Sequence, residues 1–337
     1  MKISDFNISE KVLIVAEIGN NHEGNFDLAK MMIEQAAEIG ADAVKFQTFQ
    51  TEHYVSVTED ERFKQLRKFE LTYAQFKELS DHAREHGLIF FTTPFDLESA
   101  TAVENFVPAY KISSGDNTFW PLLKHIAKKG KPILISTGLI ELNELEKTVE
   151  IIRKHGNFDS LKNYLVLLHC ISAYPATKYD LNLLSIKFLQ DHFDLFIGYS
   201  DHTQDILSCV VAVSLGARVI EKHFTYRKEG QSFKDHQISA DPKEFKEMVS
   251  QIRAVEVMLG DYKKVSMPVE RQLFIGARRS IAANRDIISG ETINIKDVTW
   301  VRPAKGFKVG EENLVIGHVA KRKIKMGEII TSEAIEE

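Results

Sequence analysis

Short apolar runs alternate with amphipathic stretches over most of the chain, and this alternation predicts strands that are each followed by a helix. The runs are nearly continuous in apolar or β-branched residues, which is typical of strands covered on both faces. The predicted strands are Val12–Ile18, Ala43–Phe49, Ile89–Phe95, Ala109–Ser113, Pro132–Thr137, Tyr164–Cys170, Leu195–Ser200 and Val219–Thr225.

The stretches between these runs carry helix signals. Phe26–Ile39 and Tyr73–His86 are each followed by a glycine, which suits the left-handed position after a helix end. Asn143–Lys154 and Asp241–Leu259 are further helical patterns, the latter with a capping aspartate before a proline. Roughly eight strand–helix units favour an α/β fold of the TIM (β/α)8 barrel type. A doubly wound open sheet is the competing α/β fold.

The pattern breaks near 263–270, and the remainder predicts a small β-rich module. Its short β-like runs are Ser280–Ala283 and Val315–Lys323. Two similar fragments, Ile288–Val298 and Lys325–Ile335, each combine a Gly-Glu turn with a predicted short capped helix, which indicates internal pseudo-symmetry. We therefore expect a barrel domain over residues 1–262, a linker over 263–277 and a second domain over 278–337.

Composition and charge exclude several classes of protein. The chain has 337 residues, 44% of them hydrophobic, and a net charge of −5, which gives no general case for nucleic-acid or membrane binding. Cys170 and Cys209 lie in apolar runs, so a reducing compartment is expected rather than a disulfide framework. The polar start of the chain has no signal-peptide pattern, and no apolar run is long enough for a membrane span. We expect a cytoplasmic protein.

Polar residues interrupt the predicted strands near their carboxyl ends, where a TIM barrel carries its chemistry. Glu17 lies in the first strand, and Lys45 and Gln47 alternate with apolar residues in the second, so the latter two should point into the barrel. Lys111 lies in the fourth strand. A buried lysine needs a partner, which could simply be a carboxylate such as Glu17.

Two interior lysines surrounded by hydroxyl groups predict an anion site. Lysines neutralise a phosphate, and hydroxyl and backbone N–H groups donate to its oxygens. The hydroxyl residues at strand ends are Thr92, Thr93, Ser136, Thr137 and Ser200. Because neither a Gly-x-Gly-x-x-Gly nor a Walker A pattern follows a strand, the phosphate is not held as in those nucleotide-binding folds.

Histidines end two adjacent strands and predict a divalent metal site. His202 and His223, near Asp116 and Asp201, suit Mn²⁺, Mg²⁺ or Co²⁺, and Zn²⁺ also fits. His169 is a weaker candidate, and His22 is either a ligand or a loop hydrogen-bonder. The histidines interpreted as surface or structural are His53, His82, His86, His125, His155 and His192. These features predict a metal-assisted enzyme acting on a phosphorylated small molecule, and a metal-dependent phosphosugar aldolase or isomerase fits almost as well.

An ordered set of motifs over the whole barrel resembles the bacterial sialic acid synthase family. The C-terminal module resembles the small β-rich SAF (antifreeze-like, β-clip) domain that this family carries. The matching segments are Ala16–Gly24, Lys45–Thr48, Thr93–Phe95, Tyr110–Gly115, Ser136–Gly138, His169–Cys170, Ser200–Thr203 and Glu221–Thr225.

The resemblance implies a reaction that joins C3 of phosphoenolpyruvate to the aldehyde carbon of an N-acylated hexosamine. The products are a nine-carbon 2-keto-3-deoxy sugar acid and phosphate, which leaves by C–O cleavage. The implied catalytic residues are Glu17, Lys45, Lys111 and Asp116, with Glu17 handling a proton and His202 and His223 binding the metal, most simply Mn²⁺. Phosphoenolpyruvate would be held by Lys45, Thr93, Lys111, Ser114, Ser136, Ser172 and Ser200. The sugar would contact Glu17, Gln47, Phe95, Tyr174, Asp235 and Arg302.

The resemblance also gives the C-terminal module a role. Between Arg278 and Lys325 basic residues outnumber acidic ones by 11 to 5, which on charge alone fits either an anionic partner or a solvated surface. In the family pattern Arg302 reaches into a partner subunit's barrel and binds the N-acyl group. The resemblance therefore implies a domain-swapped homodimer.

Three departures from the family pattern fall on the substrate side. A known family member has Glu where this chain has Asp116, and Asn where it has Ser172. The segment Glu52–Leu71 is shorter than in N-acetylneuraminate synthases and has no clear counterpart of a sugar-contacting Asn. The sugar could therefore be N-acetylmannosamine, a diacetamido-trideoxyhexose or another acylated aldose.

Two other functions compete with this one. The first is a related phosphoenolpyruvate aldol synthase that acts on a phosphorylated aldose, against which the SAF-like tail argues. The second is a sugar-binding or ice-interacting module on an inactive barrel. That module would show damaged interior positions, whereas Glu17, Lys45, Lys111, His202 and His223 are all present.

Overall fold

The computed structural model describes residues 1–336, which form two compact units. The first spans Met1–Gly260 and the second begins at Asp261. The expected linker 263–277 contains a 3-10 turn at Pro268–Leu273 and a short helix. Among the described helices, none combines the length and the apolar character that crossing a bilayer requires.

The first unit is a closed barrel of eight parallel strands, which confirms the TIM barrel over the open sheet. A two-stranded hairpin, β1 (Lys2–Ile3) and β2 (Phe6–Asn7), precedes it. The barrel strands are β3 (Leu13–Gly19), β4 (Ala43–Thr48), β5 (Ile89–Pro94), β6 (Tyr110–Ile112), β7 (Ile133–Ser136), β8 (Leu165–Cys170), β9 (Phe196–Asp201) and β10 (Val219–His223). Strand β10 pairs with β3 and closes the barrel.

Helices connect the strands, and local sequence signals define their ends. The helices are α1 (Phe26–Glu38), α2 (Thr51–Tyr54), α3 (Asp60–Phe69), α4 (Tyr73–Glu85), α5 (Leu97–Ala102), α6 (Trp120–Ala127), α7 (Leu142–His155), α8 (Ser185–Phe193), α9 (Leu207–Ser214), α10 (Asp235–Ile238) and α11 (Pro242–Leu259). The predicted cap of α11 is confirmed, because the Asp241 side chain accepts a hydrogen bond from the Glu244 backbone N–H. Gly40 follows α1 with φ +85°, as its predicted capping role requires.

Strand alternation sorts the barrel side chains into two layers. Residues such as Ile14 and Phe46 point outward and pack under the helices. Inward-pointing residues, including Leu13, Phe91 and Val166, form a separate apolar core. Ile3, from the N-terminal hairpin, belongs to that inner core. The lower part of the barrel is therefore filled with apolar side chains, and the polar inward positions lie nearer the carboxyl ends of the strands.

The second unit contains a short helix, α12 (Phe274–Ala277), and two antiparallel strands, β11 (Ser280–Ala283) and β12 (Val298–Val301). The predicted strand Val315–Lys323 is wrong, because this stretch makes only isolated bridges such as Thr292 with Val319. The short helices predicted within the two similar fragments are single 3-10 turns, Ile295–Asp297 and Ser332–Ala334.

The two similar fragments of the second unit repeat one local geometry. Gly290 and Gly327 both have φ +82°. The Glu291 and Glu328 carboxylates each accept a hydrogen bond from the backbone N–H three residues earlier. Three buried apolar residues, Ile287, Ile293 and Val298, occupy equivalent positions to Ile324, Ile330 and Ile335 in the second repeat. The core of this unit is therefore built from a repeated turn.

Candidate active site

A cavity of about 1000 Å³ lies at the carboxyl ends of the barrel strands. Inward-pointing residues of successive strands line it, because positions two apart along a strand share a face. On β4 these are Lys45 and Gln47, and on β10 they are Glu221 and His223. Strand geometry therefore brings together side chains that are far apart in the sequence.

Glu17 and Lys45 form a buried ion pair in this cavity. The Lys45 Nζ lies 2.8 Å from Glu17 Oε2 and donates to Thr93 Oγ1 at 3.0 Å. Gln47 Nε2 donates to the second oxygen of Glu17 at 3.3 Å, and Asn20 Nδ2 donates to Gln47 Oε1. The partner that the sequence allowed for Lys45 is thus present, but it lies inside the cavity rather than in the packed core.

Lys111 and Lys45 lie on opposite sides of a second carboxylate, Glu221. The Lys111 Nζ donates to Ser136 Oγ at 2.7 Å and lies 3.6 Å from Glu221 Oε1. The other oxygen of Glu221 lies 3.8 Å from Lys45 Nζ, and Ser200 Oγ donates to Glu221 at 2.9 Å. The cavity floor therefore carries two lysines and two carboxylates within reach of one another.

Glu221 is the residue that sequence reasoning missed as a functional candidate. The signal for it was present, because Glu221 precedes His223 by two positions on one strand and must share its face. A buried carboxylate two residues before an inward-pointing histidine belongs to the same cavity. Only the pairing of β10 with β3 shows that it stands beside Glu17 and Lys45.

The pKa values of Glu17 and Glu221 are shifted in opposite directions. Burial raises the pKa of Glu17 to about 7, against the attraction of Lys45 and with the help of the charge on Glu221. Burial also acts to raise the pKa of Glu221, but Lys111 and Lys45 outweigh it and hold that pKa below its usual value. Burial lowers the pKa of Lys111. Around neutral pH one carboxyl can therefore exchange a proton while its neighbour stays ionised.

His202 and His223 lie side by side with their ring centroids 5.4 Å apart. The Nδ1 of His202 donates to the Ile171 carbonyl at 2.8 Å, so Nε2 is the nitrogen that can bind a metal when the ring is neutral. Burial acts to lower the pKa of His202, but Cys170 and the Ile171 carbonyl outweigh it and raise that pKa. His223 Nδ1 is buried and makes no hydrogen bond to any described residue. Burial lowers the pKa of His223 well below its usual value, so this imidazole is neutral.

These two imidazoles fit a divalent metal ion. Neutral imidazole is a common ligand of Zn²⁺ and other transition metals, and an orphaned buried ring nitrogen is a place where a ligand bond can form. Within residues 1–336, the pair forms no three-donor cluster with another histidine, cysteine or carboxylate. A bound ion would therefore retain open positions for substrate or water.

Asp201 does not belong to this metal site. Its carboxylate is outward-pointing and accepts hydrogen bonds from Tyr199, Thr203 and Ser208 as well as from Lys222 Nζ at 2.5 Å. The two weaker histidine candidates are also elsewhere. His169 contacts the Leu181 carbonyl, and His22 accepts from the Gly24 backbone N–H outside the cavity lining.

The remaining predicted contacts divide into three groups. Those that line the cavity are Phe95, Ser114, Ser172, Tyr174 and Asp235. Asp116 lies outside the lining, and its carboxylate accepts a hydrogen bond from Ser113 Oγ at 2.6 Å. Arg302 is an exposed residue of the second unit, following β12. The structure of one chain therefore gathers every predicted contact except Asp116 and Arg302 around one cavity.

The outer wall of the cavity is aromatic and charged, which the sequence did not predict. Tyr54 stacks on Phe95 with a centroid distance of 4.2 Å, and Phe69 meets Phe233 edge to face. The charged residues that line the same region are the cations Arg62, Lys64, Lys68 and Lys234 and the carboxylates Glu23, Glu61 and Asp235. Aromatic rings suit the apolar face of a sugar, so this wall has the character of a carbohydrate-binding surface.

Two protein families match successive parts of the chain. Residues 32–264 match the NeuB family and residues 278–336 match the SAF domain. The chain is 38% identical to the N,N'-diacetyllegionaminic acid synthase of Campylobacter jejuni over 95% of this chain and 99% of that protein. It is 33% identical to the N-acetylneuraminate-9-phosphate synthase of Mus musculus over 96% and 92% of the two chains.

A solved structure gives the same result. The N-acetylneuraminic acid synthetase of Leptospira borgpetersenii, in complex with citrate, superposes with a TM-score of 0.73 and 33% identity, covering 78% of this chain and 90% of that one. The match to the family extends over most of the barrel and is followed by the expected second domain. This chain therefore belongs to the NeuB family of sialic acid-type synthases and carries a C-terminal SAF domain.

Proposed function

We propose that the protein condenses phosphoenolpyruvate with an N-acylated hexosamine to give a nine-carbon 2-keto-3-deoxy sugar acid. The observation that carries this proposal is that two buried lysines and two neighbouring histidines line the same cavity. Lysines and hydroxyls suit a phosphorylated anion, whereas the imidazole pair suits a metal that contacts an aldehyde. One cavity therefore has a distinct place for each of two substrates.

In this proposal Lys45 and Lys111 hold phosphoenolpyruvate. Their present carboxylate partners are imperfect, because Glu221 Oε2 is buried without a hydrogen bond to a described residue and lies 3.8 Å from Lys45 Nζ. Thr93, Ser136 and Ser200 already bond to these charged groups and can turn to donate to the ligand. Ser114 and Ser172 line the same cavity, and we assign all five hydroxyls to the same ligand.

The second substrate lies toward the histidines and the aromatic wall. Gln47, Phe95, Tyr174 and Asp235 line this side, and Tyr174 stacks near His202 with a centroid distance of 4.2 Å. A divalent ion on His202 and His223, most simply Mn²⁺ with Mg²⁺ or Co²⁺ as alternatives, supplies Lewis-acid polarisation of the aldehyde when bound.

The reaction balances with water as the third reactant. C3 of phosphoenolpyruvate bonds to the aldehyde carbon, whose oxygen takes up a proton and becomes a hydroxyl. Water adds to C2, and the C–O bond to phosphate breaks to leave a ketone. Glu17 is placed to move a proton during this sequence, because burial brings its pKa to about 7 and Gln47 orients its carboxyl. We assign no direct contact to Asp116, because it lies outside the cavity lining.

The test is phosphate release from phosphoenolpyruvate with Mn²⁺ and a panel of aldoses. The panel contains N-acetylmannosamine, diacetamido-trideoxyhexoses and a phosphorylated N-acylhexosamine. Release with one sugar, lost on chelation and in His223→Ala, is the expected result. Failure of the wild-type protein to bind phosphoenolpyruvate would overturn the proposal.

A phosphorylated aldose is the second candidate substrate. Arg62, Lys68 and Lys234 line the outer cavity, where a sugar phosphate could extend. Release with the phosphorylated sugar alone would select this candidate. In that case Lys68→Ala should raise the KM for the sugar while leaving the affinity for phosphoenolpyruvate unchanged.

We also propose that the active protein is a domain-swapped homodimer in which Arg302 completes the partner's sugar site. The segment that joins the two units exposes many apolar side chains, which a monomer rarely does. They are Val257, Met258, Leu259, Tyr262, Val265, Met267, Val269, Leu273, Phe274 and Ile275. A second copy of the chain would cover them.

Subunit complementation tests this arrangement. Arg302→Ala and His223→Ala should each be inactive, and mixed dimers should regain activity. Recovery is expected because one barrel then has intact histidines together with an arginine from its partner. If Arg302 acts within its own chain, mixing restores nothing. Light scattering should report a dimer in either variant.

A further inference from the structure

A second group of metal-ligand side chains lies on the outside of the barrel, between α1 and α4. Glu34 on α1 faces His82 on α4, with His82 Nε2 3.0 Å from Glu34 Oε1. His86, which follows the last residue of α4, stacks near His82 with a centroid distance of 4.5 Å. One donor atom from each of the three residues lies within 4.8 Å of the others.

The spacing of the two histidines suits metal binding. Residues four apart on a helix lie on one face, so His82 and His86 project in the same direction. His86 Nδ1 donates to the His82 backbone carbonyl at 2.9 Å. This hydrogen bond fixes the ring and leaves Nε2 as the nitrogen that can bind a cation, an arrangement typical of ligated histidines.

We propose that Glu34, His82 and His86 form a binding site for Zn²⁺ that is separate from the cavity. Two imidazoles and a carboxylate are the ligands that Zn²⁺ prefers, and water can complete a tetrahedral shell. The partial exposure of Glu34 and His82, with side-chain exposed fractions of 47% and 19%, leaves an open path for the ion. None of the three residues lines the cavity.

A simple ion pair is the competing explanation, and the chain contains a matched example. His192 on α8 lies 2.8 Å from Glu146 on α7, with comparable exposure, but the group of three donors found at His82 is not repeated there among the described residues. The two sites thus share a histidine–carboxylate contact and differ in the second imidazole. A metal site requires that imidazole, whereas an ion pair does not.

Occupancy of this site would join α1 to α4. These helices pack together, and their Lys30–Glu78 pair lies one turn away at 3.7 Å. They connect β3 to β4 and lead into β5, the strands that carry Glu17, Lys45 and Thr93. A metal that binds the folded protein raises its stability by mass action. The site would therefore stabilise this sector of the barrel without entering the reaction.

Zinc titration of the full chain tests the proposal. The parent is His223→Ala, in which the cavity has lost one imidazole, and Zn²⁺ uptake is measured calorimetrically after chelator treatment. We expect one zinc per chain in the parent and in the parent with His192→Ala. Adding His86→Ala to the parent should weaken binding by about tenfold or more, because loss of even a group supporting a ligand costs that much.

Thermal melting supplies a second readout. Zn²⁺ should raise the Tm of the parent and of its His192→Ala derivative, and at the same zinc concentration should raise the Tm of the His86→Ala derivative less. Each variant's Tm without zinc shows that it is folded. Equal zinc affinity with and without His86, or no zinc uptake by the parent, would overturn the proposal.

Discussion

Two buried lysine–carboxylate pairs stand on opposite faces of the same barrel wall, and they differ in how completely they are bonded. Lys222 and Asp201 are both at most 1% exposed, and Asp201 also accepts hydrogen bonds from Tyr199, Thr203 and Ser208. Burial acts to raise the pKa of Asp201, but Lys222 and these hydrogen bonds outweigh it and lower that pKa. The Asp201 carboxylate is therefore fully hydrogen-bonded within the protein.

The inward-facing pair, Lys45 and Glu17, is almost as buried but has fewer hydrogen bonds. The described donors to Glu17 are Lys45 Nζ, 2.8 Å from Oε2, and Gln47 Nε2, 3.3 Å from Oε1, and burial raises the pKa of Glu17 to about 7. Burying a charge without full compensation is costly, so such a group persists where a ligand or a reaction uses it. The number of hydrogen bonds to the carboxylate, rather than burial alone, therefore distinguishes the site pair from the scaffold pair.

The largest expected effect is on catalysis, and it comes from changing the inward-facing Lys45–Glu17 pair. Glu17→Gln should reduce kcat by about 100- to 10,000-fold, because it removes the group that transfers a proton. Near pH 5, where Glu17 is largely protonated, the Tm of this variant should change little, since Lys45 retains Glu221 and Thr93. Steady-state phosphate release and a melting curve measure the two quantities. A variant with near wild-type kcat would remove Glu17 from the mechanism.

A change in the outward-facing Lys222–Asp201 pair should instead affect stability rather than activity. Asp201→Asn should lower the free energy of unfolding by about 3–5 kcal/mol, because it leaves the buried Lys222 without a counter-charge. The activity per folded molecule should be retained. Chemical denaturation measures the loss. The matched control is Asp194→Asn, which breaks the exposed Lys162–Asp194 pair and should cost at most about 1 kcal/mol.

The pH dependence of stability should reveal the raised pKa of Glu17. Because this pKa is about 7 in the folded protein and ordinarily 4.5, the contribution of Glu17 is fully present below pH 4.5. It is lost as the pH rises through about 7. The free energy of unfolding of the metal-free wild type, relative to that of Glu17→Gln, should therefore fall by up to about 3 kcal/mol between pH 5 and pH 8. A difference that stays constant with pH would contradict this assignment.

The smallest expected effect concerns the hydroxyl next to Glu221. Ser200→Ala removes a hydrogen-bond donor to Glu221 Oε1 and, in our proposal, to phosphoenolpyruvate. Phosphoenolpyruvate binding should weaken by about tenfold, since a hydrogen bond to a charged group contributes about 1.5 kcal/mol or more. Calorimetric titration measures this change. An unchanged Kd would place the anion away from Ser200.

Much of the fold could be predicted because strand patterns are local. Each of the eight barrel strands was predicted within a few residues, and Lys45 and Gln47 point inward as the alternation required. The strand predicted at Val315–Lys323 was wrong because its apolar residues enter the small core while its backbone makes only isolated bridges. Apolar content predicts burial there, but it does not predict pairing.

The site was harder to predict because it depends on which strands are neighbours. Glu221 was missed since its partners, Lys45 and Lys111, come from other strands. Asp201 seemed a plausible metal neighbour until its outward direction and its bond to Lys222 were known. Most of the residues that the family resemblance implied do line the cavity, but the resemblance gave no reason why Asp201 is structural and Glu17 is not.

Mass spectrometry of the reaction product tests the central claim most directly. The wild-type protein is incubated with Mn²⁺, phosphoenolpyruvate and each N-acylated hexosamine, and product and phosphate are quantified together. We predict a nine-carbon acid whose mass equals aldose plus phosphoenolpyruvate plus water minus phosphoric acid, formed in equal amount to phosphate. Phosphate release without this acid, or binding of phosphoenolpyruvate without reaction across the whole panel, would contradict the account.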